Sequence, residues 1–373
     1  MKEIEINYSK STCQRAICAS VLVRGKTIIK NISLSDDVIN AIELIKKIGC
    51  KCILNKNILT IDSTNLKYNN EILNCGESAT LLRLFIPIGI FLFKKIRITG
   101  ENRLLERPLL PYKFIFNIDE KKNLIECSGI YRLNKYIIDG TISSQFISGL
   151  LFVLPLLDYD TEIIINEKIG SKDYILLTID VLKNFGINII FEKNIIKIKG
   201  KQKYLENVEY FNEIDESTQA FYKILNYFGD NYKLGYNKKT KQPDKIIDKI
   251  IEKKPNKIDC DNFPDLVPLL IPLTYSYKYD IIILENVKRL EYKESNRIQA
   301  ILDICNKLNI KIEYNNKDLK IYKSKIKDNI EIDTYNDHRI AMMLLIFKKI
   351  CNIKIKNIEV LTKSIPMYKE IIK

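Results

Sequence analysis

Residues able to do chemistry collect just ahead of apolar stretches in this 373-residue chain. Ser9-Lys10-Ser11 leads into Thr12–Leu22, Gly76-Glu77-Ser78-Ala79-Thr80 into Leu81–Phe93, and Ser143-Ser144-Gln145 into Phe146–Leu157. Ser171-Lys172-Asp173-Tyr174 precedes Ile175–Phe185, and Asn262-Phe263-Pro264-Asp265 precedes Leu266–Tyr277. Lys293-Glu294-Ser295-Asn296-Arg297 precedes Ile298–Leu308, and Asn336-Asp337-His338-Arg339 precedes Ile340–Ile350. Taken singly, each cluster reads as an N-cap, because Ser, Thr, Asp and Asn satisfy the free N–H groups of a helix start. On that reading Asp265 is a helix-start carboxylate and His338 a hydrogen-bonded ring. The Lys, Arg and His beside the caps add a second property. A helix N-terminus carries partial positive charge and free N–H groups, so N-termini gathered with cations attract anions. A ligand with phosphate and carboxylate groups suits such a site.

Those helix starts need a scaffold, and a repeat supplies one. Leu44–Asp62, Val181–Lys199 and Ile304–Tyr322 share a pattern. Lys stands in the last helical turn, favourable at the negative end of the dipole. Gly49, Gly186 and Asn309 follow, suited to a left-handed C-cap. Ile then alternates with polar residues, an Asn/Lys turn intervenes, and alternation resumes. Helix-plus-hairpin units copied along the chain predict an α+β protein built from several of them.

Composition narrows the class. A 373-residue chain that is 46% hydrophobic has room for two domains with real cores. Its formal charge of +14 reads either as Lys-rich solvated faces or as a match to an anionic partner: nucleic acid, membrane surface or phosphorylated metabolite. Nine Cys without a CxxC pair, and one His, argue against zinc and for a reducing compartment. The opening MKEIEINYSK does not read as a basic n-region followed by an apolar h-region. Leu84–Phe93 and Phe146–Leu157 are shorter than the roughly 18–20 residues of a membrane span, and each holds a Pro. Both are expected to be buried core helices, and the protein cytoplasmic, off the membrane and monomeric.

The clusters, in their order, carry a resemblance. It rests on Ser9-Lys10-Ser11 with Arg15, Gly100-Glu101-Asn102-Arg103-Leu104-Leu105-Glu106-Arg107-Pro108, and Asp139-Gly140-Thr141-Ile142-Ser143-Ser144-Gln145. It continues in Lys293-Glu294-Ser295-Asn296-Arg297, Tyr335-Asn336-Asp337-His338-Arg339-Ile340-Ala341-Met342 and Thr362-Lys363-Ser364-Ile365-Pro366. From end to end this series resembles the EPSP synthase family. The resemblance implies two domains, each an inside-out barrel of three βαβαββ units around buried parallel helices, with the active site in the interdomain cleft. One domain spans about residues 9–213, and the other joins 1–8 to 214–373.

The implied reaction moves the enolpyruvyl group of phosphoenolpyruvate to a hydroxyl of shikimate 3-phosphate, by addition and then loss of phosphate, without metal or organic cofactor. Shikimate 3-phosphate is assigned to Lys10, Ser11, Arg15, Ser143, Ser144, Gln145, Ser171, Tyr174, Asp265 and Lys293. Phosphoenolpyruvate is assigned to Lys10, Ala79, Thr80, Arg107, Gln145, Arg297, His338, Arg339 and Lys363. Asp265 is the expected base for the hydroxyl and Glu294 the acid for the methylene carbon, with Lys10 helping phosphate leave. Arg103 and Glu106 have a plainer reading, as a pair.

This chain departs from the family in places. Glu77-Ser78-Ala79-Thr80 stands where Asn-x-Gly-Thr is usual. The Ala79 methyl intrudes on the phosphoenolpyruvate pocket, which predicts weak inhibition by glyphosate. Asn296 replaces an Asp, expected to remove a partner from a neighbouring Arg. Arg289 stands in a substrate-contacting region usually held by Asn or Glu. The chain is short, so loops are expected to be trimmed. The nearest rival is enolpyruvyl transfer to UDP-N-acetylglucosamine, disfavoured because no Gly-rich loop bearing a Cys is present. Of another class is a basic nucleic-acid-binding protein, which would interleave exposed aromatics with its cations. An inactive homologue would have lost its catalytic groups, and none is missing.

Overall fold

The computed structural model describes residues 2–3, 7–167, 169–365 and 368–371. Half of the strand expected over 1–8, residues 1 and 4–6, and Pro366 of the last motif lie outside them. The chain divides into two compact units, Tyr8–Glu213 and Met1–Asn7 with Ile214–Lys373.

In the unit Tyr8–Glu213 one sheet design occurs three times: a parallel pair, then an antiparallel hairpin laid against its second strand. Ile72–Asn74 pairs with Lys95–Thr99, which meets the hairpin of Asn117–Lys121 and Leu124–Ser128. Lys135–Asp139 pairs with Thr161–Asn166, which meets the hairpin of Ile190–Glu192 and Ile195–Ile198. The third sheet closes the unit on itself. Lys26–Lys30 meets the hairpin of Lys51–Asn55 and Ile58–Asp62, but its parallel neighbour is Val208–Phe211, from the far end of the unit. Alternate strand residues are buried, as in Lys26–Lys30 and Lys95–Thr99, so each sheet turns one face to the core. The other face of the core is helical. Ala79–Phe93 is buried around nearly its whole circumference, and a helix apolar on all sides belongs in an interior. Gly149 lets the Ser144–Leu151 helix approach it closely, since a Cβ there would collide with the Arg83 carbonyl and the Tyr112 hydroxyl.

The helix expected over Phe146–Leu157 is shorter than the apolar run. It stops at Leu151, and a 3-10 turn, Leu154–Leu156, follows. Pro155 has no N–H to continue the α-helical ladder. The repeat's left-handed caps are present: φ is +94° at Gly49, +88° at Gly186 and +59° at Asn309.

The unit with Ile214–Lys373 repeats the design once in full. Lys257–Asp259 and Ile281–Glu285 run parallel, and Ile312–Tyr314 with Leu319–Tyr322 forms the hairpin. A second copy has, among the described residues, only the parallel pair, Ile330–Asp333 with Ile353–Lys356. A third is represented, among the described residues, by the Glu216–Tyr227 helix and a bridge between Lys2 and Tyr232. The unit's Val267–Tyr275 and His338–Phe347 helices are the ones buried on all sides.

Candidate active site

In the unit Tyr8–Glu213 the capping clusters meet at one end of a helical core. Ser9, Ser78 and Ser143 each accept from a backbone N–H of the helix they start. Gln14 Nε2 donates to Ser78 Oγ at 2.8 Å and to the Asp37 carbonyl at 3.1 Å. Gln145 Nε2 donates to Thr80 Oγ1 at 2.8 Å. Arg15 Nε donates to Thr178 Oγ1 at 2.8 Å, and its Nη1 reaches both the carbonyl and the hydroxyl of Ser11 at 2.8 Å. The Tyr174 ring lies 6.0 Å from the Arg15 guanidinium carbon. The starts of the helices Lys10–Ser20, Ala79–Phe93, Ser144–Leu151 and Lys172–Asn184 are thereby joined. Ser11, Arg15 and Tyr174 form one group, and Thr80 with Gln145 a second, beside Ser143 and Ser144. Ser171 stands immediately before the helix that bears Tyr174, without a side-chain cap bond to it; it is buried and left-handed at φ +56°.

Arg83 is a member that sequence reasoning missed. Its Nη1 donates to Gln145 Oε1 at 2.8 Å and its Nη2 to the Pro108 carbonyl at 3.1 Å, so it fixes which way the Gln145 amide faces. The Phe146 ring lies 4.7 Å from its guanidinium. An Arg inside the otherwise apolar run Leu81–Phe93 was the available signal. Burial pulls Arg15 down to about 10 and Arg83 to about 9, the latter pushed further by Arg107. Both stay cationic at neutral pH. Their hydrogen bonds run to neutral oxygens, which solvate the charge without cancelling it.

The remaining expected residues of this unit are placed as follows. Lys10 Nζ bonds Asp37 Oδ2 at 3.0 Å. Ala79 is the first residue of its helix and buried. Glu77 accepts from Asn102 Nδ2 at 2.6 Å, which ties the altered loop to the Gly100–Pro108 segment. Arg103 and Glu106 pair with each other at 3.3 Å on the surface, while Arg107 is buried just beyond.

In the other unit, Arg297 gathers the candidate acid and base. It is 1% exposed. Its Nη1 donates to Asp265 Oδ1 at 2.7 Å and its Nη2 to Glu294 Oε2 at 2.7 Å. Nε and Nη2 grip the fully buried Asp337 at 2.8 and 3.3 Å. Burial opposes the guanidinium's charge, but the three carboxylates outweigh it and raise its pKa. Asp265 Oδ1 also accepts from Lys293 Nζ at 3.0 Å. Burial works against the Asp265 charge too, yet Lys293, Arg297 and Arg339 hold its pKa well below the usual carboxylate range. Burial lowers Lys293, with Asp265 opposing.

Asp337 does two jobs. It accepts from Ser295 Oγ at 3.1 Å and caps the next helix through the Arg339 N–H at 2.8 Å. His338 and Arg339 open that helix, both buried. Arg339 Nη2 donates to Ser217 Oγ at 2.6 Å, and Ser217 donates on to Asp215. The Arg339 Nε is buried without a hydrogen-bond partner. Lys363 ends the 3-10 turn Ile358–Lys363, half-buried.

One expectation changes, and a second residue gains a partner. Asn296 does not leave a neighbouring Arg short of partners. Its side chain caps the helix through the Gln299 N–H at 3.1 Å, and Arg297 has three carboxylates besides. Arg289 is turned toward Asp261, bonding its carbonyl and, at 2.7 Å, its carboxylate.

The chain's likeness to known proteins agrees with this geometry. The sequence pattern of the EPSP synthase (3-phosphoshikimate 1-carboxyvinyltransferase) family matches residues 1–227 and 217–372. The 3-phosphoshikimate 1-carboxyvinyltransferase of Clostridium perfringens (strain ATCC 13124) is 33% identical over 98% of this chain and 94% of its own. That of Clostridium novyi is 34% identical over 98% and 92%. Among solved structures, EPSP synthase from Acinetobacter baumannii superposes with a TM-score of 0.75 at 18% identity, covering 99% of this chain and 94% of that one. The enolpyruvyl transferase NikO from Streptomyces tendae gives 0.76 at 12% identity, covering 99% and 93%, a likeness of fold. The full-length match, and relatives more than 30% identical along nearly the whole chain, place this protein in the EPSP synthase family.

Proposed function

We propose that this protein transfers the enolpyruvyl group of phosphoenolpyruvate to the 5-hydroxyl of shikimate 3-phosphate, releasing phosphate, as a step of aromatic amino acid biosynthesis. The observation that carries the reading is the set of buried cations at joined helix starts, Arg15 and Arg83, bonded to neutral oxygens and flanked by Ser11, Ser143, Ser144 and Ser171. Such a set draws an anion. The serine hydroxyls suit the 3-phosphate, and Arg15 with Tyr174 suits the carboxylate and ring. The groups expected on phosphoenolpyruvate are divided, with Lys10, Ala79, Thr80, Arg107 and Gln145 in one unit and Arg297, His338, Arg339 and Lys363 in the other.

In the addition step the 5-oxygen bonds C2 of phosphoenolpyruvate while its proton goes to Asp265 and Glu294 delivers a proton to C3. In elimination the C2–O bond to phosphate breaks, the proton held by Asp265 leaves with the phosphate, and Glu294 takes a proton back from C3, leaving the enol ether. Asp265 held far below its usual pKa is a weak base. Lys293, Arg297 and Arg339, which hold it there, are also cations suited to the substrates' anionic groups. When phosphoenolpyruvate shares them, Asp265 recovers basicity, so the base is armed by substrate binding. Nine cysteines, all free, suit a reducing cytoplasm, and the chain is taken to act as a single copy.

Phosphate release tests the reading. With phosphoenolpyruvate present, shikimate 3-phosphate is expected to support release and UDP-N-acetylglucosamine is not. Release only with the UDP-sugar would keep the fold and overturn the acceptor.

A further inference from the structure

Asp265 and Lys293 stand on different chain segments, each just past the end of a strand. Lys257–Asp259 and Ile281–Glu285 run parallel and in register, Asp259 opposite Glu285. Beyond the strands the two segments stay cross-linked. The Cys260 N–H donates to the Glu285 carbonyl at 3.0 Å, and Asn286 Nδ2 to Asp259 Oδ1 at 2.8 Å. Next comes Arg289, whose Nη2 takes both the carbonyl and the carboxylate of Asp261. After that come Lys293 and Arg297 on Asp265. The Arg289–Asp261 contact therefore sits midway between the sheet and the candidate base. Both its side chains are about 15% exposed, at 16% and 15%, so solvent screens it little. Asp265 lies only four residues beyond Asp261, and Lys293 four residues beyond Arg289.

We propose that the Arg289–Asp261 pair positions Asp265 against Lys293, and that Arg289 is a positioning residue of the reaction rather than a substrate ligand. This rests on the reading of Asp265 as the base. The pair sets the spacing of the two segments at the last point before the reacting groups. The Lys293–Asp265 bond inherits that spacing. The charged groups around Lys293 are Asp265, Glu294 and Arg297, and those around Asp265 are Lys293, Arg297 and Arg339. Loosening the segments separates Lys293 from Asp265, the carboxylate that most opposes the effect of its burial.

Two measurements on the full chain test this. Lys293 acetylation by acetic anhydride, followed against pH by peptide mass spectrometry, reads the ammonium directly and needs no turnover. In Arg289→Ala its midpoint should fall by about one pH unit, the size of a lost neighbouring charge. Arg289→Lys should restore it, because a single nitrogen makes both contacts. In steady-state assays Arg289→Ala should lose kcat about 10-fold while KM for shikimate 3-phosphate stays within about 2-fold. An unmoved Lys293 midpoint overturns the proposal. So does a tenfold rise in that KM at unchanged kcat, which would make Arg289 a ligand. If the wild-type protein releases no phosphate, the assigned reaction falls, and the labelling still decides whether Arg289 holds Lys293 on Asp265.

Discussion

Replacing Arg297 with methionine would leave three carboxylates without their shared cation. The largest loss is at Asp337, which is fully buried and gripped by Arg297 at 2.8 and 3.3 Å. Breaking a buried pair by removing one partner costs about 3–5 kcal/mol, because the other charge is stranded. Asp337 keeps the Ser295 hydroxyl and the Arg339 N–H, so the lower end, about 3 kcal/mol, is expected. At the usual urea dependence of about 1–3 kcal/mol per molar, that moves the unfolding midpoint down by about 1–3 M. Urea unfolding followed by circular dichroism reads it. The double variant Arg297→Met with Asp337→Asn strands no charge there and should recover more than half of the loss. A single-variant loss below about 1 kcal/mol, or a double variant no better than the single, would refute the picture of Arg297 as the neutralising hub.

Asp265 gives a pH signature. Its pKa in the folded chain is well below the unfolded value of about 3.9, so its stabilisation is full above that value and is lost as pH falls through the folded one. Asp265→Asn should therefore lower the urea midpoint at pH 7, and its gap from wild type should narrow as pH falls below about 4; a constant offset from pH 7 down into the acid range would contradict the assigned cations. At Ala79, the extra methyl predicts weak glyphosate inhibition, and Ala79→Gly should lower the inhibitory concentration about tenfold in a dose–response assay. Potent inhibition of the unaltered protein would refute the steric argument.

Much of this was legible in local sequence, because caps and turns are local physics. Ser9, Ser78, Ser143 and Asp337 cap the helices they precede, and Gly49, Gly186 and Asn309 take the left-handed φ their positions require. The fourth hairpin, Asn117–Lys121 with Leu124–Ser128, was missed because the helix before it is a single turn, Leu110–Lys113, with Ile115 at the position where the other three carry Gly or Asn. The pairing of Val208–Phe211 with Lys26–Lys30 joins segments about 180 residues apart, and no periodicity records a contact of that range. At the site, residue types were readable but partnerships were not. The expectation for Arg297 was a substrate, and its protein partners Asp265, Glu294 and Asp337 were not foreseen. Charges choose partners by three-dimensional distance, and only Glu294 is near it in sequence.

The central claim is tested most directly by isolating the product. Incubated with phosphoenolpyruvate and shikimate 3-phosphate, the protein should yield the 5-enol ether and an equal amount of phosphate, with the enolpyruvyl carbons identified by carbon-13 NMR. Asp265→Ala, checked by circular dichroism to be folded, should yield neither. Phosphate without the enol ether, or full product from Asp265→Ala, would contradict the account.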